Sequence, residues 1–394
     1  MRVAVAGAGL GGLCLAQGLT RAGVDVQVFE RDDALHGRRQ GYRLHVDARA
    51  GLALEKCLPP RLFGLFLATT GRPGTKVTVL NKRLAVLHET PTGPARDPDD
   101  PATLSASADR GILREILAAG LEERTHYGHE LAGFEQDPEG VTLGFADGST
   151  GRADLLVGAD GVGSAVRRGL LPEARQVDTG VRIIYGKTPL DDATRRLIPP
   201  ALHSGFTAIV GGRVGLATGL VEFRHPPAGF APEVRLSPVG DYLMWAVSAR
   251  QDRLPLPAPA DATALYAVAC RAIRSWHPAL RALLAAASVE ETFLVRVRIA
   301  RRVPAWKPSR VTLLGDAIHA MSPARGSGAN TALMDAANLC EAMTGGGNPI
   351  AQIGAYEESM RGYGFAAVEA STQAEAATAH PFRQWLRDRA GRWA

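Results

Sequence analysis

Cysteine is scarce in this sequence, which has only four among its 394 residues: Cys14, Cys57, Cys270 and Cys340. They form no CxxC pair and lack metal-ligand spacing, which excludes a disulfide framework and a zinc site. We therefore expect reduced thiols, no bound metal and a cytoplasmic location.

Long apolar runs are also missing. No stretch of about 18 consecutive apolar residues occurs, so the sequence predicts neither a membrane span nor stable membrane association. The apolar stretch at residues 1–19 resembles a signal peptide, but Gly7, Gly9, Gly11 and Gly12 interrupt its apolar core. A strand, a turn and a helix explain it better.

Neither sign of charge dominates, since 45 Lys and Arg residues oppose 40 Asp and Glu residues, for a net charge of +5. The excess is spread along the chain without a basic block, which argues against a nucleic-acid-binding protein. The 44 glycines and 25 prolines indicate a folded protein with many turns. A chain of this length predicts two interlocked domains.

A glycine motif opens the chain. Gly7-Ala8-Gly9-Leu10-Gly11-Gly12 matches G-x-G-x-x-G between a predicted strand and a predicted helix, and Glu30 ends the next predicted strand. Gly9 would let the backbone approach a pyrophosphate at the helix N-terminus, and Glu30 would accept hydrogen bonds from ribose hydroxyls. The motif predicts dinucleotide binding and fits both FAD and NAD.

Two further motifs distinguish these cofactors. Residues 158–167, with Asp160-Gly161, resemble the "DG" segment of class A flavoprotein monooxygenases, the relatives of para-hydroxybenzoate hydroxylase. Residues 315–323, with Gly315-Asp316, resemble the "GD" segment of the same family. The three motifs occur in the family's order over nearly the whole chain, so the chain resembles this family and FAD is the implied cofactor, held non-covalently.

The resemblance implies roles for single residues. Asp316 would contact the ribityl chain, residues 323–330 would pass along the isoalloxazine, and Arg110 would lie over FAD. Asp160 resembles a residue linked to both the FAD phosphates and NAD(P)H. The FAD-binding residues predicted in this way and from the glycine motif are Gly7, Gly9, Leu10, Gly12, Glu30, Arg31, Arg110, Asp160, Gly315, Asp316, Pro323, Gly326, Gly328, Ala329 and Asn330.

The predicted fold class is α/β, with a Rossmann-like FAD-binding domain of the para-hydroxybenzoate hydroxylase type, an inserted sheet-rich substrate domain and a C-terminal helix. Buried strand patterns recur at residues 2–6, 154–158 and 311–314, while alternating strands occupy the region between 172 and 300. The predicted FAD-binding domain comprises 1–72, 102–172 and 299–348, the substrate domain 73–101 and 173–298, and the C-terminal helical region 349–394.

The resemblance implies a single-component monooxygenase. Such an enzyme uses NAD(P)H and O₂ to hydroxylate or epoxidise a small aromatic or polycyclic molecule, such as a natural product, through a C4a-hydroperoxyflavin. No second glycine motif for NAD(P)H occurs, which agrees with the family's transient use of that co-substrate. NADH and NADPH both remain open, as do a monomer and a homodimer.

Pocket candidates come from the inserted sheet and from the extended segment after Glu30. An aromatic or Met side chain on a sheet is more often core than substrate wall, and a lone histidine is more often structural than a general base. The candidates are Tyr42, Arg43, His45, Arg182, Tyr185, Phe206, Met244 and Trp245. The catalytic candidates are Arg43, His45, Tyr185 and Trp245.

Other functions compete with oxygen insertion. The same scaffold supports flavin reductases or dehydrogenases such as the prenyl-chain reductases, and a non-catalytic flavoprotein would carry the same motifs. The sequence argues against a hydrolase, because no G-x-S-x-G elbow occurs between a strand and a helix.

Overall fold

The computed structural model describes residues 1–37, 41–92, 97–231, 234–256 and 258–379. The predicted C-terminal helical region, 349–394, is helical as far as residue 379, and the remainder lies outside the described residues.

The strands, numbered in chain order, are β1 (Arg2–Ala6), β2 (Asp25–Glu30), β3 (Arg43–Asp47), β4 (Lys76–Asn81), β5 (Val86–Pro91), β6 (Ser105–Asp109), β7 (Thr125–Tyr127), β8 (Leu131–Gln136), β9 (Val141–Phe145), β10 (Thr150–Ala153), β11 (Leu155–Gly158), β12 (Gln176–Pro189), β13 (Phe206–Val210), β14 (Val214–Val221), β15 (Tyr242–Arg250), β16 (Ser288–Ala300) and β17 (Val311–Leu313).

The α-helices are α1 (Leu10–Arg21), α2 (Ala48–Cys57), α3 (Pro60–Ala68), α4 (Arg110–Ala118), α5 (Ala165–Leu170), α6 (Asp192–Arg195), α7 (Ala262–Ala272), α8 (Pro278–Ala285), α9 (Asp316–His319), α10 (Gly328–Thr344) and α11 (Pro349–Ala379).

A parallel sheet with the strand order β17-β11-β1-β2-β7 forms the nucleotide half of the protein. Its central strands β1 and β11 are buried along nearly their whole length, as expected for parallel strands covered on both faces. Helices α1, α2 and α10 pack together beside it, and its strands come from three separate stretches of the chain. This arrangement confirms the predicted Rossmann-like domain.

A second sheet forms the pocket half, with the strand order β16-β12-β15-β14-β13-β4-β5. One face of this sheet carries Leu243, Trp245 and Val247 and packs against α7 and α8 in a separate apolar core. The opposite face is turned towards the nucleotide half, because Lys187 on β12 reaches Asp109 at the end of β6. The inserted sheet-rich domain is therefore confirmed as well.

A two-stranded antiparallel ribbon, β3 with β6, lies between the two halves. It contacts β14 of the large sheet, while α2 and α10 of the nucleotide half also contact β3. Arg43 and His45 share a face of the ribbon with their cross-strand partners Asp109 and Ser107, because directly opposed residues point the same way. That face is turned to the large sheet.

Within the described residues, we find no helix with the length and apolar character needed to cross a membrane.

Candidate active site

Several predicted cofactor residues meet at one edge of the parallel sheet. Gly7 follows β1, Glu30 ends β2, Asp160 lies two residues after β11, and Gly315 with Asp316 follows β17. Parallel strands end at the same sheet edge, which is where open α/β sheets bind their ligands. The topology thus brings together residues that lie up to about three hundred positions apart in the sequence.

The glycine turn after β1 is shaped by contacts that leave no room for side chains at two positions. Gly7 has φ +105°, and a Cβ there would lie 2.5 Å from the carbonyl oxygen of Ala159. At Gly12 a Cβ would lie 2.1 Å from the carbonyl oxygen of Gly7. At Gly9, the N-cap of α1, a Cβ would meet nothing within 4 Å. Gly9 thus faces open space in front of a helix N-terminus, as a phosphate cradle requires.

Glu30 holds this turn in place. One of its carboxylate oxygens accepts from Ala8 N at 2.8 Å and the other from Asp32 N at 3.0 Å. Arg114 on α4 lies 3.7 Å from the same carboxylate and donates to Ala8 O. The sequence motifs gave no signal for Arg114, because only the packing of α4 brings it to the turn. Arg31, the other residue predicted here, is exposed.

Asp160 lies at the N-terminus of α5, beside the N-cap Ser164. Its Oδ2 accepts from Ala165 N at 2.6 Å and from Val166 N at 3.3 Å. Its Oδ1 is buried and has no hydrogen-bond partner among the described residues. An unsatisfied buried acceptor costs free energy, so it indicates a donor supplied by a ligand or a water.

A buried polar network supports the turn after β17. Asp335 on α10 accepts from Gly315 N at 2.8 Å, from His319 Nε2 at 2.6 Å and from the Tyr363 hydroxyl at 2.7 Å. Desolvation lowers the pKa of His319, but the charge and hydrogen bond of Asp335 outweigh it and the pKa is raised. Asp335 and Tyr363 lie outside the motif, so the sequence did not reveal them.

Asp316 opens α9 at the turn after β17, and we infer that it lies at the floor of a cleft. Its side chain keeps solvent-accessible surface, yet desolvation by the surrounding protein raises the pKa of its carboxyl. Both properties together are typical of a group at the bottom of a deep, open depression.

The segment from Pro323 to Asn330 runs along the same cleft. Gly326 has φ +62°, and Gly328 and Ala329 open α10. The buried amide of Asn330 accepts from Asp47 N at 2.9 Å and donates to His45 O at 2.8 Å and Gly326 O at 2.9 Å. Asn330 therefore ties this segment to β3, a role that sequence reasoning missed.

An aromatic cluster faces the cleft from the large sheet. The rings of Tyr185 on β12 and Phe293 on β16 stack with centroids 5.3 Å apart and planes 8° apart. Tyr42 lies 5.4 Å from Tyr185, and the guanidinium of Arg110 lies 5.8 Å from the Tyr42 ring. The cluster thus links the pocket half to the predicted FAD-contacting arginine. Phe293 was not among the predicted residues, because only strand pairing places it opposite Tyr185.

Small side chains form the sheet surface beside this cluster. Ala208 pairs with Ala217, and Ala217 pairs with Ala246, across β13, β14 and β15. Phe206 and Met244 lie on the same face. Small residues beside aromatic ones form an apolar surface of the kind that lines small-molecule sites.

Arg43 points from the ribbon towards this surface, since its guanidinium lies 5.8 Å from the Phe206 ring, and His45 lies on the same face of the ribbon. Desolvation lowers the pKa of both side chains, and the positive charge of Arg43 lowers the pKa of His45 further. His45 is consequently neutral at neutral pH, which leaves one ring nitrogen able to accept a proton.

Two predicted pocket residues lie on the face of the large sheet that is turned away from the nucleotide half. Trp245 is 0% exposed and packs between β15 and helices α7 and α8. Arg182 lies three residues from Tyr185 on β12, so it points to the opposite face, where it binds Asp178 and Gln251. The prediction was wrong for both, because a separation of one or three residues reverses the face of a strand.

Comparisons with known proteins find families and relatives similar to this chain. The family described as "FAD binding domain" matches residues 267–360, and the family described as "NAD(P)-binding Rossmann-like domain" matches residues 5–57. The chain is 30% identical to the FAD-dependent monooxygenase dbaB of Emericella nidulans over 356 residues, which cover 86% of this chain and 85% of that protein.

A solved structure of an FAD-containing monooxygenase from Photorhabdus luminescens subsp. laumondii TTO1 superposes with a TM-score of 0.83. Its sequence is 30% identical, and the match covers 97% of this chain and 99% of that one. The dual O-methyltransferase/FAD-dependent monooxygenase CTB3 of Cercospora beticola is 32% identical over 392 residues. That match covers 91% of this chain, which therefore spans only 44% of the length of CTB3.

Proposed function

The chain belongs to the FAD-dependent monooxygenases of the para-hydroxybenzoate hydroxylase-like class, and from this membership we propose that it uses NAD(P)H and O₂ to hydroxylate or epoxidise a small aromatic or polycyclic molecule. FAD is the cofactor of this family, as the three motifs predicted.

The residues present fit FAD. The open space at Gly9 lies at the N-terminus of α1, and Asp160 Oδ1 is an orphaned acceptor in the same cleft. Asp316 lies on the cleft floor, and the backbone from Gly326 to Ala329 borders it. We propose that these residues hold the pyrophosphate, the ribityl chain and the ring system, as their motifs imply.

When bound and reduced, FAD supplies the chemistry that activates O₂ for transfer to an organic substrate. The protein then has to exclude water, orient the substrate and manage protons. The aromatic pair Tyr185 and Phe293 with the alanine surface supplies an apolar wall for orientation. Burial raises the pKa of Tyr185 well above its usual range, so its hydroxyl stays protonated and can donate a hydrogen bond.

The observation that carries the proposal is one cleft with two different walls. The nucleotide half presents backbone turns and the Asp316 carboxyl, while the large sheet presents a face of aromatic and small residues. Tyr42 connects the two, because its ring lies 5.8 Å from the Arg110 guanidinium and 5.4 Å from the Tyr185 ring. An enzyme that brings a flavin against an aromatic substrate needs this juxtaposition. The relatives' names supply independent support, since dbaB and CTB3 are described as FAD-dependent monooxygenases.

The test is a screen of phenolic and polyketide-like compounds for those that accelerate NAD(P)H oxidation by the purified FAD-loaded protein. An accelerating compound is then turned over under ¹⁸O₂, and we expect one labelled atom in the product and the other in water. A product that is reduced by two hydrogens and carries no label would support the reductase alternative. Binding of FAD with no ligand-dependent oxidation by any compound would favour a non-catalytic flavoprotein.

A further inference from the structure

Lys187 and Asp109 form an ion pair that joins the two halves of the protein. Lys187 Nζ on β12 donates to Asp109 Oδ2, at the end of β6, over 3.1 Å. The Asp109 side chain is 1% exposed, and the Lys187 side chain is 11% exposed. Glu291 is a weaker partner of Lys187, because its carboxylate lies 3.8 Å from Nζ and is more exposed. A buried carboxylate is costly unless a cation neutralises it, so Asp109 depends on Lys187.

Close packing leaves little room for water to take the place of Lys187. A Cβ on Gly41 would lie 3.2 Å from Lys187 Nζ, and a Cβ on Gly111 would lie 3.0 Å from Asp109 Oδ1. The Tyr242 ring centroid lies 4.4 Å from Nζ, and the Tyr242 hydroxyl donates to Asp109 Oδ2 at 2.9 Å. Desolvation raises the pKa of Tyr242, so its hydroxyl stays protonated and remains a donor. These groups enclose the ion pair.

Asp109 determines where α4 begins. It is the N-cap of that helix, and its Oδ1 accepts from Gly111 N at 2.8 Å and from Ile112 N at 3.1 Å. A carboxylate at this position satisfies backbone N–H groups that have no partner within the helix, and its negative charge is favourable beside the positive end of the helix dipole. Lys187 thereby stabilises the carboxylate that caps α4.

Arg110 follows Asp109 directly and is the first residue of α4. Its backbone N donates to Tyr42 O at 2.9 Å, and its guanidinium lies 5.8 Å from the Tyr42 ring. Desolvation raises the pKa of Asp316, and the positive charge of Arg110 is among the charges that oppose this rise. The guanidinium therefore lies close enough to act on the carboxyl that the Gly315-Asp316 motif assigns to FAD.

Strand β12 holds Arg110 from two sides. Lys187 binds Asp109, which precedes Arg110 in the chain. Tyr185, two residues before Lys187 and so on the same face of the strand, has its ring 5.4 Å from the ring of Tyr42, whose carbonyl accepts from Arg110 N. Both groups that fix the Arg110 backbone are thus in contact with the pocket half.

We infer that Lys187 is a positioning residue for the cofactor: by neutralising Asp109 it fixes the first turn of α4 and so holds Arg110 in place to bind FAD. The inference rests on the proposed function and on the contact between Arg110 and FAD that the motif resemblance implies. It makes FAD binding depend on a residue of the pocket half, although the motifs lie in the nucleotide half.

The first experiment measures the dissociation constant of FAD by fluorescence titration of the full-length apoprotein. Lys187→Met should weaken FAD binding by about tenfold, because the unpaired Asp109 no longer holds the start of α4. The double variant Asp109→Asn/Lys187→Met should bind FAD within about threefold of wild type, since a neutral asparagine still caps the helix. Lys76→Met, which breaks an ion pair with Glu89 at the edge of the same sheet, is the matched control and should bind FAD normally.

The second experiment asks whether Lys187 acts through Arg110. Arg110→Met should weaken FAD binding by about tenfold, and adding Lys187→Met to it should weaken binding by less than about twofold more. A direct effect of the Lys187 charge on FAD, or a general loss of stability, would persist without Arg110, and the two substitutions would then multiply to about a hundredfold. Circular dichroism verifies that each variant is folded.

Three results overturn the inference: normal FAD binding by Lys187→Met, weak binding by the double variant with Asp109→Asn, or multiplying effects with Arg110→Met. Lys187→Gln, which keeps an N–H donor, replaces Lys187→Met if that variant does not fold. If neither folds, a folded Asp109→Asn/Lys187→Met protein with normal FAD binding supports the inference, and an unfolded one overturns it. FAD binding requires no turnover, so a failed test of oxygen transfer would reject the proposed function and leave the inference intact.

Discussion

The two walls of the cleft differ in composition: main-chain atoms form one, and side chains form the other. In the nucleotide half the backbone forms the surface: Gly7 and Gly12 leave no room for side chains, and Gly9 faces open space at the N-terminus of α1. In the pocket half the side chains of alternating strand residues form the surface, as Tyr185 and Phe293 do. The turn is so closely packed at Gly7 and Gly12 that it tolerates no added side chain there, whereas a side-chain surface can change its chemistry while the sheet persists. Substrate choice can therefore vary in the second wall while cofactor binding is retained in the first.

The largest expected effect tests the backbone-built wall. Gly12→Val should yield no folded protein, because its Cβ would lie 2.1 Å from Gly7 O. Gly9→Val should fold, since a Cβ there meets nothing within 4 Å, but should bind FAD about a hundredfold more weakly or worse because the side chain occupies the cradle. Circular dichroism and the FAD released by acid measure both effects. Gly64→Ala on the exposed side of α3 is the control, and normal FAD content in Gly9→Val would refute the cradle.

The second prediction separates the two faces of the large sheet. Trp245→Ala should lower the free energy of unfolding by about 3–5 kcal/mol, because it empties a buried site in the core beside α7 and α8. Tyr185→Ala should cost less stability and reduce ligand-stimulated NAD(P)H oxidation. Denaturant unfolding and oxidation assays provide the two measurements. A Trp245→Ala protein of normal stability with impaired ligand response would reverse the assignment of faces.

The third prediction concerns a buried carboxyl behind the nucleotide wall. Desolvation raises the pKa of Glu357 on α11 from 4.5 to about 7, although Thr312 and Trp306 lie near enough to lower it. The unfolded chain releases this proton at lower pH than the folded one, so stability falls as pH rises from 4.5 to about 7. Glu357→Gln should thus be more stable than wild type above this window, by up to about 3 kcal/mol, and equal below it. Unfolding curves of both proteins across that pH range test this prediction. A difference in the free energy of unfolding that stayed the same at all pH values would contradict it.

The smallest expected effect comes from substituting one residue in each wall, Asp316 and His45. Asp316→Ala should weaken FAD binding by about tenfold, equal to about 1.4 kcal/mol, because its carboxyl lies on the cleft floor. His45→Ala should keep FAD and alter only ligand-dependent oxidation, since its side chain faces the large sheet. Fluorescence titration with FAD measures the first effect. Equal loss of FAD in both variants would give His45 a structural role.

Motif reasoning succeeded where one short segment carries both the fold and the chemistry. The glycine turn and the Gly315-Asp316 turn were placed correctly at the edge of the parallel sheet, because strand, turn and helix are adjacent in the chain. It failed for supporting residues such as Arg114 and Asp335, which reach those turns from helices and carry no motif of their own. Their contacts depend on helix packing, which local patterns do not encode.

The sequence by itself determined the family, the cofactor and the α/β architecture, because these depend on contiguous motifs and on periodic burial. Only the tertiary structure decided the pocket. Strand pairing placed Phe293 against Tyr185 and turned Trp245 into the core, and packing made Lys187 rather than Arg43 the ion-pair partner of Asp109. The physical reason is that a strand has two faces one residue apart and that the partner of a buried charge is chosen by packing across the whole chain.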